Sequence, residues 1–105
     1  MPVDMNFIRD MTKFIKDRFN PQKVMLFGSY AYGEPSSESD VDLLIIMDTS
    51  IKFHKQAAII RLALDEAFNV SFPMDIIVRD QEEIEKRVKQ GDFFIKEILE
   101  EGIAL

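Results

Sequence analysis

The chain has 105 residues, 47% hydrophobic and 30% charged, with a formal net charge of -6, which suits one folded core and leaves no basic field for stable nucleic-acid binding. It contains no cysteine, so disulfides, thiolate metal sites and cysteine nucleophiles are excluded. No apolar run approaches membrane-spanning length and the start, MPVDMNFIRD, has no basic region ahead of an apolar one, so a cytoplasmic protein with no membrane role is expected, as a single domain over residues 1–105.

Along residues 4 to 19, Met5, Ile8, Met11 or Thr12, Ile15 and Phe19 recur at helical spacing, which predicts an amphipathic helix stopped by Asn20-Pro21. Lys23 to Phe27 reads as a short apolar strand that Gly28-Ser29 ends. The segment from Ser29 to Gly33 is expected to make one or two helical turns whose free backbone N–H groups favour a phosphate. Glu34 to Ser39 has loop composition, and Asp40 to Met47 follows as a strand apolar on both faces beyond its acids, as in the centre of a sheet.

Lys52 to Asn69 again carries a helical pattern through Phe53, Ala57, Ile60 and Leu64. Val70 to Val78 is extended and apolar except for Asp75, an acid that burial would leave in need of a cation. From Gln81 to Gly102 the pattern predicts two helices, or one broken at Gly91-Asp92. The order helix, strand, strand, helix, strand, helix implies an α/β fold with a small sheet packed by helices.

Asp40 and Asp42 are two positions apart on a strand, so their side chains share a face. Two anions at the end of an apolar strand raise each other's pKa, and a bound divalent cation is the simplest resolution. With Asp75 on a later strand the set is three hard-oxygen ligands with no imidazole or thiolate, suited to Mg²⁺ or Mn²⁺. A triphosphate spanning the metals and the Gly28-Ser29 turn would permit in-line nucleotidyl transfer.

These residues carry a family resemblance. FGSYAYGEPSSESDVDLLI resembles the signature of the DNA polymerase beta-like nucleotidyltransferase superfamily: Gly-Ser, ten residues, Asp-x-Asp, and a third aspartate on a later strand. The whole chain looks like a minimal nucleotidyltransferase (MNT) domain, similar to MntA-type antitoxins of HEPN/MNT toxin–antitoxin systems. That resemblance implies a polymerase beta-like nucleotidyltransferase fold with a small mixed sheet. It implies catalysis by Asp40, Asp42 and Asp75 as metal ligands, nucleotide binding by Gly28 and Ser29, Mg²⁺ as cofactor and ATP as substrate. It further implies AMP transfer to a protein acceptor, with a helical HEPN-type toxin as partner. The alternatives are a non-catalytic antitoxin acting by occlusion, or a transferase subunit completed by a helical partner that binds the acceptor. The sequence departs from many relatives in one respect: Tyr30-Ala31-Tyr32 stands where they have Arg-x-Arg.

The remaining candidates have simpler expectations. Tyr30 and Tyr32 are read as packing aromatics ahead of base-stacking ones, and His54, Lys55 and Arg61 as solvated helix positions. The acidic run around Glu82, Glu83 and Glu85 fits an exposed first helical turn. Phe93 and Phe94, if exposed, would mark a partner surface.

Overall fold

The first helix shows how pattern becomes packing. In the computed structural model, which describes residues 2–105, α1 spans Met5–Phe19 and buries Ile8, Met11, Thr12 and Ile15. The Asp4 carboxylate accepts from the Asn6 amide and caps its start, while Asn20 closes it in the left-handed conformation at φ 51°. The buried Thr12 hydroxyl donates to the Ile8 carbonyl at 2.9 Å, so it costs no unsatisfied polar group.

Strand β1 (Lys23–Phe27) follows, then the single-turn helix α2 (Ser29–Tyr32), β2 (Val41–Ile46), α3 (Phe53–Phe68) and β3 (Met74–Arg79). The tail resolves into α4 (Gln81–Lys89) and α5 (Phe93–Glu101), divided at Gly91, which takes φ 79°, and Asp92, whose carboxylate accepts from the Ile95 amide. A two-residue strand, β4 (Ile103–Ala104), ends the order. The sheet runs β3-β2-β1-β4, with β2 parallel to β3 and both other pairs antiparallel. It is the small mixed sheet expected, with β2 internal.

Side-chain alternation splits this sheet between two helical layers. Val24, Leu26, Val41, Leu43, Ile45 and Val78 join Ile8, Met11, Ile15, Ile60 and Leu64 of α1 and α3. Met25, Phe27, Leu44 and Ile46 join Ile84, Ile95 and Ile98 of α4 and α5 on the other face. Even positions of β2 and odd positions of β3 therefore look toward α4 and α5.

Three expectations needed correction. β2 begins at Val41, so Asp40 lies just before the strand. β3 begins at Met74 and is an edge strand, which leaves Asp75 exposed where the apolar neighbours suggested burial. β4 was absent from the expected order, since two residues show no periodicity; it is held by antiparallel pairing with β1, and Gly102 ahead of it lies so close to the Ile98 and Leu26 carbonyls that a Cβ has no room.

Candidate active site

The site begins where β1 stops. Gly28 takes φ 73° and ψ -155°, a conformation open essentially to glycine alone. That geometry lays its Cα against Asp42, so that a Cβ at this position would collide with Asp42 Oδ2. The turn thus needs glycine twice over, for its backbone angle and for the acid beside it. Ala31 and Tyr32 donate to the Gly28 carbonyl at 3.0 and 3.1 Å, and Gly33 closes the turn onto the Ser29 carbonyl at 3.1 Å.

Register supplies the second half. Asp42 faces Phe27 across the antiparallel pair and Asp75 across the parallel pair, so the two carboxylates share the face that α4 and α5 cover farther along. Asp42 is half-buried, whereas Asp75 and Asp40 are exposed. Burial, followed by repulsion from Asp75 and then Asp40, pushes Asp42 up to about 6 from 3.8. Among the described residues, none of the three acids stands at ion-pair distance from a basic side chain; the ion pairs join Lys13 to Asp17, Arg61 to Asp65, and Arg87 to Glu83 and Asp92.

The donor chemistry fits a hard divalent cation: unpaired carboxylate oxygens, one of them destabilised as an anion by its neighbours, held beside a backbone kept free of side chain. Among the described residues no three Asp, Glu or His side chains converge into a finished ligand cage. The closest association is the Asp42–Asp75 register pair, with Asp40 near enough to act on Asp42. Such a half-built set suits Mg²⁺, which usually takes one or two carboxylates and completes its shell with water and substrate phosphates.

The other candidate residues fall away from this cluster. Tyr30 is buried against the α1 core, and its hydroxyl accepts from the Val3 amide at 2.8 Å; Tyr32 stays partly exposed. His54 and Lys55 are exposed on α3 as expected. Arg61 is not simply solvated, since it reaches Asp65 at 3.1 Å and the Met74 carbonyl at 3.4 Å and so ties α3 to the start of β3. The acidic run opens α4, where Asp80 accepts from the Glu83 amide at 2.7 Å.

One neighbour escaped sequence reasoning. Phe27, the register partner of Asp42, packs edge-on against Phe94 with ring centroids 5.6 Å apart. Helical spacing placed Phe94 on a helix but could not say what lay under it. A groove of about 540 Å³ opens at the other end of β2 and β3, lined by Lys52, His54, Arg79 and Arg87 among others.

Comparison with known proteins agrees with this geometry. The family model described as nucleotidyltransferase domain matches residues 8–105. The chain is similar to three proteins of Methanocaldococcus jannaschii, each bearing the name "Putative protein adenylyltransferase". One is 29% identical over 100 residues, 93% of either chain. Another is 39% identical over 57 residues, 54% of this chain and 56% of the relative. The third is 42% identical over 41 residues, 39% of this chain and 41% of the relative. No solved structure matches the chain significantly.

Proposed function

Because the chain belongs to the nucleotidyltransferase domain family, we propose that it transfers AMP from ATP onto a hydroxyl of a protein acceptor. The observation that carries the proposal is the pairing of Asp42 with Asp75 in register, with Gly28 laid directly against the Asp42 carboxylate. Phosphoryl chemistry of this kind needs positioning and charge neutralisation more than covalent help from the protein.

Each residue takes a part. Asp40, Asp42 and Asp75 would hold Mg²⁺, which when bound neutralises phosphate charge and lowers the pKa of an attacking hydroxyl. Gly28 and Ser29 receive the triphosphate, the glycine by allowing close approach and the serine through its hydroxyl and amide. Asp75, exposed at the sheet edge, is open to an incoming hydroxyl and accepts its proton. The acceptor oxygen bonds to the α-phosphorus as the bond to pyrophosphate breaks.

The protein acceptor is supported by the names of the relatives, and the antitoxin role by the resemblance of the chain to MNT-type antitoxins. We accordingly place the acceptor on a helical HEPN-type toxin, with AMP transfer as the antitoxin activity. The test is to incubate the protein, Mg²⁺ and ATP labelled at the α-phosphate with the candidate toxin. Label should appear on the toxin with wild-type protein and be absent with Asp42→Asn. Full neutralisation of the toxin by Asp42→Asn would instead assign protection to occlusion.

A further inference from the structure

We propose that Phe94 is the platform on which the nucleobase of the bound nucleotide stacks; the inference rests on the nucleotidyltransferase reading above. The α4–α5 layer covers Met25, Phe27, Leu44 and Ile46 on one face of the sheet. Asp42 and Asp75 lie on that same face, at the end of the sheet where Phe27 is the last β1 residue the layer covers.

Phe94 is the aromatic side chain of α5 that reaches Phe27. It rests edge-on against Phe27, at 86° between ring planes, and Phe27 lies directly across from Asp42. Cross-strand partners lie about 5 Å apart and a phenylalanine ring reaches about 4 Å from its own backbone, which puts the Phe94 ring within about 15 Å of the Asp42 backbone, on the face of the sheet that carries the carboxylate. Yet Phe94 remains 51% exposed. A large ring left half in water, one aromatic contact away from the register partner of Asp42, offers a stacking surface for a flat, partly apolar ligand.

The ring is also held in place. Asp92 caps α5 through the Ile95 amide at 3.1 Å, and its second oxygen accepts from Arg87 at 3.3 Å, while Arg87 also binds Glu83 at 2.9 Å. Ile95 and Ile98 pin the helix to the sheet. A platform whose position is fixed before binding loses little freedom when a base settles on it. Phe93, one residue earlier and 84% exposed, lines the outer groove with Lys96 and Glu97; it is the natural control.

The experiment compares two probes, each with Mg²⁺: a non-hydrolysable ATP analogue and inorganic tripolyphosphate, which lacks the base. In calorimetric titrations Phe94→Ala and Phe94→Leu should weaken the ATP analogue about 5- to 100-fold. Neither should change tripolyphosphate affinity, Phe94→Trp should retain analogue binding, and Phe93→Ala should match wild type. Phe94→Leu keeps apolar packing on Phe27 and so separates stacking from loss of fold. Unchanged analogue affinity in Phe94→Leu, or an equal loss for tripolyphosphate, would overturn the proposal. Wild-type protein that bound tripolyphosphate but gained nothing from the base would overturn it while leaving the nucleotidyltransferase reading standing. Wild-type protein that bound neither probe would overturn both.

Discussion

At the scale of single residues, the site is arranged against the stability of the fold. Asp42 has its pKa raised to about 6, above that of an unfolded aspartate, so the folded state binds more protons than the unfolded chain between pH of about 4 and 6. Stability from this group is therefore greatest at low pH and is lost as pH rises through that window, opposite to a salt-bridged aspartate. Asp42→Asn should raise the melting temperature at pH 8 by a few degrees, on the order of 1 kcal/mol after allowing for its partial exposure, with no gain at pH 4, while AMP transfer disappears. Mg²⁺ should give wild type a similar rise at pH 8 and little at pH 4. Thermal melts at the two pH values, with and without the ion, check both. Gly28→Ala should do the reverse, lowering stability by about 1–3 kcal/mol for its backbone angle alone and abolishing binding of the ATP analogue. The motif residues were legible because their chemistry shows in their types and spacing. The exposure of Asp75 was not, because Met74 and Ile76 face the other core and a sheet edge cannot be seen from one strand.

At the scale of elements, two caps of the same chemistry have different work. Asp80 and Asp92 each accept from the amide three residues on, opening α4 and α5. Either Asp→Ala change should cost about 1 kcal/mol, readable by chemical denaturation. Only Asp92→Ala should also weaken the ATP analogue, because only α5 carries Phe94. β1 and β2 were legible as apolar runs bounded by glycine, proline and serine. The start of β3 was placed too early, since Val70, Phe72 and Pro73 are apolar yet precede the strand, Pro73 giving only its carbonyl to the Val41 amide. Phe94 reads from the sequence as a partner-surface residue, and its contact with Phe27 stayed hidden for a related reason: a 3.6-residue period says which face is apolar, not which ring it meets.

At the scale of the molecule, one four-stranded sheet separates two cores that must form together. Leu43 and Leu44 are adjacent, fully buried and on opposite faces. Truncating either to alanine should cost about 2–5 kcal/mol and shift a single unfolding transition, so two resolved transitions would show that the layers melt separately. The hydrogen bond from the Val3 amide to the Tyr30 hydroxyl, 27 positions away, also couples distant parts. It fastens the arm ahead of α1 to the helix that follows the Gly28-Ser29 turn. In deuterated solvent the Val3 amide should therefore exchange in step with opening of α2 and more slowly in Mg²⁺ and ATP analogue, making an amide at the edge of the fold a reporter of the phosphate turn.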